Sequence, residues 1–141
     1  MDSTFWAKIH GASTHLPLAL AGCSWLFDLA GFALARRPTG PQLNIVGYWT
    51  MLLAGLGTFP AVASGLLLTK GETLDHDLVL FHHLFVWPAF ALLVGLATWR
   101  AIVGATSTSR RAFSYYLAVA FTAAVLVAGA GYWGGEMLLA N

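Results

Sequence analysis

The sequence predicts an all-α integral membrane protein, a single domain built as an antiparallel up-down bundle of four transmembrane helices. Three observations predict it. The chain is 58% hydrophobic and 9% charged, with a mean hydropathy of +0.72, against about 25% charged residues in a soluble domain. A bilayer core about 30 Å thick takes about 20 mostly apolar residues in a helix, and the sequence holds four runs of that length. Short polar breaks separate them, which makes consecutive helices antiparallel neighbours.

The first helix is expected over residues 15–35. The polar stretch before it lacks the cationic start of a signal peptide, and the run exceeds the about 7 to 15 apolar residues of a signal core, so the helix is expected to be retained. The break Arg36-Arg37-Pro38-Thr39-Gly40-Pro41 leads to a second helix over 44–68. A polar segment from Lys70 to Asp77 leads to a third over 78–103, and the segment Gly104 to Arg111 to a fourth over 113–139. Pro17, Pro60 and Pro88 are expected to kink or start helices, with the freed carbonyls satisfied inside the bundle. Trp6, Trp49, Trp87, Trp99, Trp133 and the pair Tyr115-Tyr116 lie near helix ends, as interfacial aromatic belts require.

Cationic connections stay on the cytoplasmic side. Arg36, Arg37, Arg100, Arg110 and Arg111 surround the first and third connections, whereas Lys8 and Lys70 lie on the other side. Both termini and the 70–77 segment are therefore expected outside, periplasmic in a bacterial inner membrane. The net charge of +1 gives no reason to expect nucleic acid, because the basic residues sit where loop anchors belong. The lone Cys23 excludes an intramolecular disulfide and the Cys-x-x-Cys-His attachment of a c-type haem, so any haem would be noncovalent.

All five histidines fall on the predicted outer side. His10 and His15 precede or open the first helix, His76 lies in the outer connection, and His82 and His83 lie about one turn into the third. Glu136 ends the fourth. A single interfacial histidine can simply hydrogen-bond to headgroups and water, but several from two helices at one depth point to a site, since imidazole ligates haem iron, zinc and copper. His82 and His83 are about 100° apart on a helix, so only one is expected to face the bundle axis. The less bulky face through His82, Val86 and Ala89 favours His82. The first and third helices are diagonal in such a bundle, so His15 and His82 are the expected axial pair for haem b iron. His10, about 140° round from His15, is placed in a supporting or propionate-binding role. A zinc or copper site from His10, His15, His82 and Glu136 is the alternative, without a compact ligand motif behind it.

Asp28 lies within the first helix, where a carboxylate costs about 2.5 to 3.5 kcal/mol on insertion scales unless paired or protonated. A hydrogen bond to Ser24, Thr50 or another hydroxyl is expected, with proton relay or a quinone contact as the alternative. Ala61-x-x-x-Gly65 and Gly131-Tyr132-Trp133-Gly134-Gly135 allow close backbone approach between helices or against a cofactor.

The chain resembles a bacterial family of predicted four-helix membrane proteins classed as a domain of unknown function. That family typically opens with His-Pro-x-x-x-His-Phe-Pro-x-x-Leu and a later Phe-Asp-Leu. Here one finds His10-Gly11-Ala12-Ser13-Thr14-His15-Leu16-Pro17-Leu18-Ala19-Leu20 and Phe27-Asp28-Leu29. Its small-Gly element, early third-helix histidine and closing Gly-Gly resemble Ala63-Ser64-Gly65, His82 or His83, and Gly134-Gly135-Glu136. Gly11 replaces the family's first proline and Leu16 its usual phenylalanine. The resemblance spans nearly the whole chain and implies fold and topology more firmly than chemistry.

No nucleotide or phosphate motif and no substrate chemistry is visible, so an electron-transfer or anchor subunit is expected rather than a catalytic one. The leading expectation is a cytochrome b-like haem b subunit of a membrane redox complex, passing electrons between a periplasmic cytochrome or oxidoreductase and the quinone pool. The alternatives are a cofactor-free structural subunit of a larger respiratory or photosynthetic complex, and a small metal or solute transporter with Asp28 and Glu136 on its path.

Overall fold

The computed structural model describes residues 3–71, 77–106 and 109–139. Four helices follow one another, α1 (Ser3–Ala33), α2 (Thr39–Leu68), α3 (Asp77–Val103) and α4 (Arg110–Leu139). All four are long and apolar enough to cross a membrane.

The largest departure from the sequence reading is at the start of α1, which begins twelve residues before His15. Hydropathy marks the part of a helix that meets lipid, not the helix itself. Residues 3–14 are too polar for the hydrocarbon but hold no proline, and their hydroxyls bond within the helix, Ser13 Oγ to His10 O and Thr14 Oγ1 to Gly11 O, both at 3.0 Å. At 1.5 Å per residue a helix of 31 residues is about 46 Å long, longer than the apolar core. Its early turns therefore carry His10 as a helical residue with a defined direction. At the other boundaries, Ser109 Oγ caps α4 by accepting from Ala112 N at 3.2 Å. Pro41 falls in the first turn of α2, where its missing N–H costs nothing. Gly104, at φ 82°, ends α3 with its N–H on Arg100 O at 2.8 Å.

Chain-adjacent helices pack together, and α1 also packs on α4, closing the ring. The contacts run in opposite senses: the start of α1 meets the end of α2 (His10 with Ala61 and Ser64) and its later part meets the start of α2 (Ser24 with Gly47). The start of α3 likewise meets the end of α4 (His82 with Ala130), and its end meets the start of α4 (Trp99 stacked on Tyr116). The bundle is thus up-down-up-down, with α1 diagonal to α3.

The seams are made of small residues. Ala21, Ala54, Ala120 and Ala123 are buried with Met51 and Leu93, while Trp49, Leu56, Leu84 and Ile102 are exposed. That sorting suits lipid, where large side chains lose nothing by facing outward and close backbone approach supplies the packing. Two polar layers interrupt it, one near each end of the bundle.

Candidate functional site

The first polar layer is formed by histidines of α1 and α3. His10 Nδ1 lies 3.0 Å from Ala61 O on α2 and 3.3 Å from Ser64 Oγ, which itself lies 3.3 Å from Ser13 Oγ. His82 Nδ1 is 2.8 Å from Ala130 O on α4. His83 Nδ1 is 2.8 Å from Val79 O, one turn back on its own helix. A carbonyl can only accept, so each imidazole carries a hydrogen on Nδ1, and in the neutral ring Nε2 is then the nitrogen with the lone pair. Bonding of Nδ1–H to a backbone carbonyl is what fixes the tautomer of ligating histidines. The ring centres of His10 and His82 are 6.5 Å apart, and those of His82 and His83 5.5 Å, both edge to face.

The flanking helices admit these rings because they are bare there. A Cβ on Gly65 would lie 3.0 Å from His10 Cε1, and one on Gly134 would lie 3.5 Å from His82 Cε1. The two small-residue elements, Ala61-x-x-x-Gly65 and the closing Gly-Gly, thus serve the histidines as well as the helix seams.

The sequence-derived residues are redistributed by this geometry. His15, expected to face His82, is exposed on the outer surface of α1, and His10 occupies the inward place. The reason is the register of α1. His10 and Asp28 are eighteen residues apart, five full turns at 3.6 residues each, so they share one face; His15, thirteen residues from Asp28, lies about 140° away. His82 faces the bundle as expected. His83, expected to face outward, is 8% exposed, held on Val79 O one turn back with its ring centre 6.3 Å from that of Trp87. Glu136 is half-buried at the same end. His76 lies outside the described residues. Among the described residues no three or more His, Cys, Asp or Glu side chains are grouped so as to hold a metal ion, so the four-ligand zinc or copper arrangement is not formed.

The second layer lies about 27 Å along the same faces, eighteen residues on in both α1 and α3. Arg100 Nη2 donates to Asp28 Oδ1 at 3.1 Å and to Asn44 O at 2.8 Å, and the Asp28 and Arg100 side chains are both fully buried. Tyr116 OH on α4 donates to Asp28 Oδ2 at 2.7 Å. Among the described residues Arg100 Nε and Nη1 have no hydrogen-bond partner; the guanidinium instead lies 5.2 to 5.6 Å from the ring centres of Tyr116, Phe113 and Tyr48, a cation–π setting. The hydroxyl expected for Asp28 is thus that of Tyr116, while Ser24 Oγ donates to Gly47 O at 2.8 Å and Thr50 Oγ1 to Val46 O at 2.8 Å. Arg100, read in the sequence as an interfacial anchor, was the missing counter-ion.

Four membrane-length helices with small-residue seams, a histidine early in α3 and a glycine pair late in α4 set the context for the sequence comparison. The pattern of the predicted membrane protein family DUF2231 matches residues 7–140. The chain belongs to that family. No curated protein and no solved structure matches it. Within this DUF2231 chain the match takes in both polar layers, from His10 to Gly134, so the two layers belong to the family domain and not to an appended segment.

Proposed function

We propose that this DUF2231 protein is a haem b-binding membrane subunit of a redox complex, with His10 and His82 as the iron-ligating pair at the histidine end. The observation that carries this reading is the pairing of two imidazoles from diagonal helices, each with Nδ1–H locked on a carbonyl of a flanking helix. Two imidazoles on opposite sides of one iron place their ring centres about 6 Å apart, given metal–imidazole bonds of about 2 Å, and the observed separation is 6.5 Å. A haem iron takes two protein ligands, so it asks for less than the grouping of three or more that the described residues lack. The walls beside the pair, Ala61, Gly65, Ala130 and Gly134, are small, as a planar group between α2 and α4 requires. Haem bound there would supply one-electron chemistry; the protein would fix ligand orientation through the two carbonyls. His15 and His82 do not fit the group, because His15 faces away from the bundle.

The proposal extends to orientation and partners: both termini periplasmic in the inner membrane, a periplasmic electron carrier at the histidine end and quinone as the membrane partner. The arginines gathered at the opposite end support that orientation. A cofactor-free structural subunit is the second reading. It is favoured by the space that the His10 ring fills beside Gly65, where an added Cβ would lie 3.0 Å from Cε1, as a packing element would.

The absorbance spectrum of protein purified from haem-replete cells separates the two. A Soret band that shifts on dithionite reduction, lost in His10→Ala or His82→Ala and kept in His15→Ala and His76→Ala, is the expected result. A haem content that depends on His15 and not His10 overturns the ligand pair. Colourless, fully assembled protein overturns haem binding and leaves the structural reading.

A further inference from the structure

The arginine end carries a feature that neither polar layer uses. A cleft of about 590 Å³ opens between the end of α1 and the start of α4, lined by Ala33, Leu34, Ala35, Arg36, Arg37 and Arg110. Its three guanidinium groups come from two separate parts of the chain and are all exposed. Among the described residues none of the three forms an ion pair, and Asp28 is taken by Arg100.

Local structure holds the cleft open to an anion. Arg110 stacks on Phe32, with the guanidinium carbon 4.1 Å from the ring centre. That fixes the plane of the group and leaves its N–H donors at the rim. Arg110 also starts α4, where the macrodipole is positive. On the α1 side two carbonyls are engaged within the turn, Ala30 O accepting from Leu34 N at 2.9 Å and Leu34 O from Arg37 N at 2.8 Å. The turn is closed by Gly40, where any side chain would strike Leu34 O, and this keeps Arg36 and Arg37 beside the helix end.

The rest of the lining decides the class of ligand. Ala33, Leu34 and Ala35 make half of the cleft apolar, and it lies at the ends of two helices long and apolar enough to cross a membrane, the level at which headgroups meet a spanning helix. A soluble anion gains nothing from an apolar wall, whereas a phospholipid brings a phosphodiester for the arginines and a glycerol-acyl stem for the alanines and leucine. We propose that this cleft binds the phosphate of one anionic phospholipid, gripped by Arg36, Arg37 and Arg110. Basic pockets between transmembrane helices are the general form of such sites.

Native mass spectrometry of the delipidated full chain tests this. Phosphatidylglycerol is expected to remain as a single adduct under activation that strips phosphatidylcholine. The Arg36→Gln/Arg110→Gln variant should retain it at least about tenfold less, while Arg111→Gln, outside the cleft, should retain it as the unaltered chain does. Near-UV circular dichroism checks that the double variant is folded, and the comparison of the two lipids on the unaltered chain stands whatever that variant does. Equal retention of the two lipids, or full retention in the double variant, overturns the site. Inorganic phosphate that displaces phosphatidylglycerol more than chloride of equal ionic strength does, and binds in its absence, assigns the cleft to free phosphate and overturns the lipid.

Discussion

Replacing Asp28 by asparagine is expected to damage this protein far more than loss of one hydrogen bond would, because the partner left behind is a buried cation. In the native bundle Oδ1 faces Arg100 and Oδ2 faces Tyr116 OH, with both charged side chains at 0% exposure. Asparagine fits the space and can still meet Tyr116, but it leaves the Arg100 guanidinium with only neutral acceptors. Removing one partner of a buried pair costs about 3 to 5 kcal/mol; helices dispersed in a micelle find substitute partners, which pulls the value towards the lower figure. Arg100→Met should cost a similar amount by stranding the carboxylate. Combining Asp28→Asn with Arg100→Met removes both charges, so the double variant should lose clearly less than the sum of the two single losses. Equilibrium unfolding in mixed micelles, followed by near-UV circular dichroism across the four proteins, reads the coupling directly. Additive losses would refute the claim that the pair neutralises itself.

Further outcomes follow from the same geometry. Gly47→Ala should destabilise by about 1 to 3 kcal/mol, because a Cβ there would run into the Asp28 carboxylate, whereas Gly22→Ala, with nothing within 4 Å, should be neutral or stabilising in the same unfolding assay. Gly65→Ala should loosen the His10 ring, which lies 3.0 Å from the new carbon, and shift the Soret maximum or lower haem content if His10 is an iron ligand. On a Cys23→Ser background, Lys70→Cys should react with an impermeant maleimide in intact cells and Thr106→Cys should not; the reverse pattern inverts the topology.

The four helices were legible because an apolar run of membrane length has few other solutions. What the hydropathy runs hid was the polar overhang of α1, since nothing in a hydrophobic run marks a helix that continues past the lipid. That hidden stretch holds His10, the histidine of α1 that faces the bundle, whereas the apolar run alone points to the exposed His15. The correction was available in the sequence. Asp28 is too costly to face lipid and so fixes the inner face of α1; counting back eighteen residues reaches His10, and the same count from His82 reaches Arg100. Arg100 reads as an anchor because an arginine near a helix end usually is one, and only the packing distinguishes one that turns inward. His83 was placed outward from the bulk of its neighbours, but its back-bond to Val79 O folds the ring along the helix and under cover.

The buried pair also bears on how the chain is made. Asp28 and Arg100 are 72 residues apart, on the first and third segments to emerge during synthesis. The hairpin of α1 and α2 therefore holds Asp28 without its counter-ion, and α3 brings the guanidinium that pairs with it. Each half of the protein therefore carries one charge that the other half discharges, at the same depth. Two fragments separated between α2 and α3 would retain, in that single complementary pair, a reason to reassemble with each other in preference to unrelated helices.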